Sequence, residues 1–166
     1  MSDQNDLFYV GRALNNVDAK GRLSLPSGFR KTLNSVYSGA ENRIYLRMDK
    51  EQPFLLGYDR RYSQRQFESI ESRYTDPNDP RCIEEKNALF ATADVITIDS
   101  DGRLVLNSLL RRHAQIERHV LFMGGADTFT LWNPQIFLDH NQDKTNLIVM
   151  VTSMMEEKKI PIGETS

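Results

Sequence analysis

Two stretches of the chain carry a carboxylate, a glycine and an arginine in the same order. They are Asp18-Ala19-Lys20-Gly21-Arg22 and Asp99-Ser100-Asp101-Gly102-Arg103. Four chemistries can be built on that pattern. The plainest is structural: Asp accepts hydrogen bonds from turn amides, Gly supplies backbone freedom, and Arg pairs with Asp. A calcium loop would need D-x-[DN]-x-[DN]-G-x5-E. In the second stretch Asp99, Asp101 and Gly102 fall in register, but Thr97 and Ser108 occupy the first and last ligand positions. The first stretch is worse, with Lys20 where Asp101 stands. A catalytic carboxylate pair, Asp18 with Asp99, would favour a raised pKa for general-acid work. The arginine four residues on acts the other way. His113, His119 and His140 share no metal-ligand spacing, and no nucleophile pattern accompanies them. The fourth chemistry is contact with nucleic acid. A turn tip with Lys20 and Arg22 can meet phosphates, and an arginine fork matches guanine O6 and N7. Gly21 lets backbone approach backbone, and Asp18 can hold the Arg22 side chain in one pose.

Charge separates the two stretches. From Gly11 to Lys31, Arg12, Lys20, Arg22, Arg30 and Lys31 face only Asp18, a surplus of four positive charges. From Asp94 to Ala114, Arg103, Arg111 and Arg112 are matched by Asp94, Asp99 and Asp101. The chain as a whole has a net charge of −2. An acidic protein thus carries a basic patch in one stretch. The bland reading of that patch is a solvated charged face; the sharper one is a local field that attracts a polyanion.

The elements that must position these residues are duplicated. Ala13–Leu33 aligns with Asp94–Ala114 at a constant offset of 81, with seven of 21 positions identical, including Arg30 with Arg111. Such self-similarity marks a repeated supersecondary unit. Each copy reads as a short strand (Leu14–Val17 or Val95–Ile98), a tight turn, and a strand alternating at Leu23 and Leu25 or Leu104 and Leu106. A short helix follows, entered at Pro26 and Ser27 or capped by Asn107 or Ser108. A hairpin completes each copy, RIYLRMD with PFLLGYD and HVLFMGG with TFTLWN. Between the copies, Ser63 is a candidate cap for a helix with Phe67, Ile70 and Tyr74 on one face. Asp79-Pro80 starts a second helix with Ile83 and Phe90 on one stripe. Asn133-Pro134 starts a C-terminal helix, expected to break near Asn141 and resume toward Met155, with a frayed tail after it.

The bulk numbers exclude several classes. At 166 residues, 39% hydrophobic and 27% charged, the chain has the make-up of an ordinary globular protein. Cys82 is the only cysteine, so neither an internal disulfide nor a cysteine-rich metal site can form, and a cytoplasmic setting is expected. The acidic N-terminus does not read as a signal peptide. The longest apolar run, Leu147–Val151, is far too short for a membrane span.

Three stretches together resemble the MraZ family of bacterial transcriptional regulators: GRALNNVDAKGRLSLPSGFR, the second DSDGR, and HVLFMGGADTFTLWNPQIF. The likeness runs from about Phe8 to Phe137. It implies an α+β fold of two SpoVT/AbrB-like β-barrel halves with pseudo-two-fold symmetry, carrying a helical insert and a C-terminal helix. The expected boundaries are 8–60, 61–90, 91–136 and 137–166. It also implies a ring-like homo-oligomer that binds double-stranded DNA with short direct repeats, upstream of the division and cell-wall gene cluster that includes its own gene. A nucleoid-associated location follows, with no enzyme activity, cofactor, metal, membrane or small-molecule substrate expected. The family's DNA-contacting arginine maps onto Arg22 and Arg103, and its turn lysine onto Lys20. With the charge pattern, the expected DNA-binding residues are Arg22, Lys20, Asp18, Gly21, Arg12 and Arg30, then Arg103, Asp99 and Gly102. Asp101 and Asn107 depart from the first copy, which has Lys20 and Pro26 there. Arg103 is therefore expected to matter less than Arg22. The rival reading is an antitoxin-like module that holds a protein partner without touching DNA.

Overall fold

The computed structural model describes residues 7–37 and 42–163. The first repeat runs β1 (Arg12–Asn16), β2 (Arg22–Ser24), α1 (Ser27–Val36), β3 (Arg43–Met48) and β4 (Leu55–Tyr58). It continues into α2 (Arg60–Ser72) and α3 (Pro80–Lys86), which passes into one π-helical turn, Asn87–Ala91. The second repeat runs β5 (Asp94–Thr97), β6 (Arg103–Val105), α4 (Ser108–Ala114), β7 (His119–Gly125) and β8 (Thr128–Trp132). It ends in α5 (Pro134–His140) and α6 (Thr145–Glu157).

The strands make a six-stranded antiparallel sheet in the order β1-β7-β8-β4-β3-β5, and a separate two-stranded ladder of β2 with β6. Exchanging β1 with β5, β3 with β7 and β4 with β8 leaves that order unchanged, so the duplication in the sequence becomes a pseudo-two-fold in space. Outside the hairpins β3–β4 and β7–β8, every ladder joins one repeat to the other. The strands on either side of each D-x-x-G-R turn therefore form no ladder with each other. β1 pairs with β7, while β2 crosses to β6.

Burial explains why this interleaving holds. The repeat-matched apolar residues Val17 and Ile98, Leu23 and Leu104, Leu25 and Leu106, Phe29 and Leu110, and Leu33 and Ala114 all lie in one core. Each fully buried Leu or Phe contributes about 1.5–3 kcal/mol. Neither repeat can bury its own set without the other. A second core gathers Leu14, Leu121 and Trp132 under α5 and α6, through Phe137, Leu138, Val151 and Met155.

The helix ends repeat as well. Asp59 follows β4 directly and caps α2, accepting from Arg61 N–H at 2.9 Å. Asn133 follows β8 directly and caps α5, accepting from Gln135 N–H at 2.9 Å. The helical pair after β4 thus corresponds to α5 and α6. Ser63, read from the sequence as the α2 cap, lies inside the helix. The buried, ionised Asp59 is the stronger acceptor and starts the helix four residues earlier.

Other expectations change, the first being Tyr74, which lies beyond the end of α2 at Ser72 and so off the helical face of Phe67 and Ile70. Ile83 and Phe90 do not share a covered stripe and are each 43% exposed, while Cys82 takes the buried position. The π-helical turn Asn87–Ala91, which contains Phe90, departs from the 3.6-residue period that the stripe assumed. The tail is docked rather than frayed up to residue 163. Ile160 packs on the second core, and Gly163 N–H donates to Gln135 Oε1 at 2.9 Å. The caps at Asn107 and Asp79 and the break at Asn141 are as the sequence indicated.

Candidate nucleic-acid interface

Each turn is organised by its own aspartate. Asp18 Oδ1 accepts from the backbone N–H of Lys20 and of Arg22, both at 2.9 Å. Asp18 Oδ2 accepts from Arg22 Nε at 2.7 Å. The peptide of Gly21 closes the loop onto Asp18 O at 3.0 Å. Gly21 has φ +80 and Gly102 φ +78, a region that other residues enter only with strain. Despite its ion pair, the Arg22 side chain remains 49% exposed. The carboxyl of Asp18 is held below the usual range, first by the Arg22 backbone N–H and then by the Arg22 guanidinium.

The second turn copies the backbone and not the side chains. Asp99 Oδ1 accepts from Asp101 N–H and Arg103 N–H, each at 2.9 Å. The Arg103 backbone N–H chiefly holds the Asp99 carboxyl below its ordinary value. The Arg103 guanidinium, however, leans to Asp101 Oδ2 at 3.1 Å and stands 3.6 Å from Asp99 Oδ2. Two carboxylates thus share Arg103, whereas the corresponding position in the first turn carries the exposed cation Lys20.

The β2–β6 ladder brings the turns together. Arg22 pairs with Val105, Leu23 with Leu104, and Ser24 with Arg103. Leu23 and Leu104 point into the core; Arg22, Ser24, Arg103 and Val105 point out. Diagonal neighbours on such a ladder lie about 7–8 Å apart. Both turn arginines therefore occupy one outward face, and both line one shallow depression with Thr97, Asp99 and Val105.

The remaining expected residues sit elsewhere. Arg12 is exposed on β1, an edge of the sheet, six residues before Asp18 and so roughly 20 Å along an extended strand. It borders a second depression with Ser24, Pro26 and Gly28. Arg30 on α1 turns away from its own repeat, and its Nη2 donates to Ser100 O at 2.6 Å. Arg111, outside the expected DNA-binding set, lies over Gly21 in the mirrored arrangement. Its identity with Arg30 in the repeat alignment was the signal available for it. Among the described residues, no three His, Cys, Asp or Glu side chains gather where a metal could be held.

Comparison with known proteins agrees with this architecture. The family model described as "MraZ protein, putative antitoxin-like" matches residues 89–150. The transcriptional regulator MraZ of Hydrogenovibrio crunogenus is 34% identical over 131 residues, covering 78% of this chain and 82% of the relative. That of Proteus mirabilis is 32% identical over 148 residues, covering 88% and 91%. That of Gluconobacter oxydans is 31% identical over 138 residues, covering 81% of each. With two interleaved copies of the same turn on one ladder and this extent of likeness, the chain belongs to the MraZ family, whose named relatives are transcriptional regulators.

Proposed function

We propose that the chain regulates transcription by binding double-stranded DNA through the outward face of the β2–β6 ladder. A two-stranded ribbon fits the major groove of B-DNA. Lys20 and Arg22 meet phosphates and base edges there, with Arg103 as a weaker second contact. Asp18, Gly21, Asp99 and Gly102 shape the turns. Arg12, farther along β1, is placed to reach neighbouring phosphates. The observation that carries this reading is that Arg22 is held by Asp18 at 2.7 Å while still half exposed. A guanidinium already fixed in pose loses less entropy on docking.

A single ribbon with two or three cations binds weakly, so recognition of short direct repeats gains from several copies engaging one duplex. We place the contacts of a ring-like homo-oligomer on the helical pairs, where Phe67, Ile83, Phe90, Val149 and Met150 remain uncovered. The target in this reading is DNA upstream of the division and cell-wall gene cluster, including the protein's own gene. The alternative is an antitoxin-like module that holds a protein partner without touching DNA. The chain through Gly163 is engaged with α5 and the second core. Footprinting on the DNA upstream of its own gene is the test. Protection of regularly spaced repeats is expected, and uniform cleavage at saturating protein would reject the proposal.

A further inference from the structure

The two turns are not held by their own repeats alone. Gly21 O accepts from Leu106 N–H at 2.9 Å, and Gly102 O accepts from Leu25 N–H at 2.9 Å. Each turn is therefore hydrogen-bonded to the opposite repeat at its glycine. Beside each of these contacts lies an arginine, also from the opposite repeat. A Cβ placed on Gly21 would stand 3.3 Å from Arg111 Nε and 3.4 Å from Arg111 Cζ. A Cβ on Gly102 would stand 2.8 Å from Arg30 Nη1. Arg30 also donates to Ser100 O. Arg111 Nε is buried without a hydrogen-bond partner and lies beside the face of Gly21 that carries no side chain.

We propose that Arg111 and Arg30 are crossed positioning residues: Arg111 of the second repeat sets the pose of the Lys20–Arg22 turn, Arg30 of the first sets the pose of the Arg103 turn, and neither touches DNA. Bonds within each loop determine its internal shape. They reach only the first residue of the adjoining strand, Arg22 or Arg103, and leave the approach of each glycine to the opposite repeat to contacts from outside the loop. The glycine carbonyl bond from Leu106 or Leu25 supplies part of that constraint and the planar guanidinium beside each glycine supplies the rest, both from the other repeat. The affinity consequence rests on the DNA-binding reading above; the structural consequence does not.

Arg111→Met and Arg30→Met keep most of the side-chain length and remove the planar cation. Amide hydrogen exchange followed by mass spectrometry reads each turn without any ligand. Arg111→Met should speed exchange over residues 18–22 and leave 99–103 unchanged; Arg30→Met should do the reverse. Faster exchange at both turns in each variant, or at neither, would overturn the proposal. On a duplex carrying the footprinted repeats, Arg111→Met should weaken binding about tenfold while the salt slope stays at the wild-type value. Loss of a direct phosphate contact would instead reduce the slope by about 0.9, and such a reduction would overturn it. If no form of the protein binds the duplex but exchange responds crosswise, the positioning role stands and the DNA-binding reading is the one that fails.

Discussion

Arg22 and Arg103, 81 positions apart in the chain, stand on the same outward face of a single two-stranded ladder, one opposite Val105 and the other opposite Ser24. The ribbon that presents them is made by neither repeat alone. It arises where β2 and β6 meet across the pseudo-two-fold, so the two turns present their arginines on one face. Their difference lies in the neighbours: Asp101 draws Arg103 aside, while Lys20 adds a cation beside Arg22.

Arg22→Ala should abolish specific DNA binding and leave the fold unchanged, because the side chain is half exposed and outside the core. A gel-shift titration with circular dichroism checks both halves. Residual non-specific binding should show a salt slope smaller by about 0.9. Wild-type affinity in the variant would remove Arg22 from the interface.

Asp101→Lys should strengthen DNA binding several-fold, since it releases Arg103 and places a cation where the first turn has Lys20. Arg103→Ala should weaken binding less than Arg22→Ala in the natural background. In the Asp101→Lys background the cost of Arg103→Ala should grow. Fluorescence anisotropy at one fixed salt concentration measures the wild type and all four variants.

The carboxyl of Asp18 should titrate below its ordinary value of 3.8 in a carbon-detected NMR titration, and Arg22→Ala should move it back up. The sign follows from the lowered folded-state pKa. The interaction is fully present above the unfolded value and fades as pH falls through the folded one. Between pH 5 and 8, this carboxylate should therefore contribute no pH dependence to DNA binding.

Tyr9→Phe should cost about 1.5–3 kcal/mol of stability, the range for a hydrogen bond to a charged group. Tyr9 Oη donates to Asp59 Oδ2 at 2.7 Å, and Asp59 is fully buried. Burial pushes the Asp59 carboxyl up, but hydrogen bonds from Arg61 and Tyr9 outweigh it and leave the pKa below 3.8. This stabilisation is present above the unfolded value and lost as pH falls through the lowered one. Without the Tyr9 hydroxyl the loss should begin at higher pH. Urea unfolding of both proteins at pH 7 and pH 4 measures the difference.

Much of the site was legible in the residues because it is local. Asp, Gly and Arg within five positions specify a tight turn, and each bond from Asp18 spans at most four residues. The basic surplus of the first copy is a count along the chain. The elements were legible too, since alternation at Leu23 and Leu25 and caps such as Asn107 and Asn133 act over short spans. The Asp59 cap was not. Arg61 lies two residues away, but nothing near Asp59 in sequence indicates that Tyr9, 50 residues away, would complete a buried site for the carboxylate.

The sequence by itself determined that two equivalent units exist, that each carries a braced arginine at a turn, and which of the two turns is more basic. Those are consequences of residue type and short spacing. Only the tertiary structure decided that the strand after each turn pairs with its counterpart, that Arg22 and Arg103 share one face, and that Arg30 and Arg111 each reach into the opposite turn. The physical reason is that strand partners are chosen by which arrangement buries the most apolar surface. Here neither repeat can cover its own leucines, so the answer lay in how the two copies interlock.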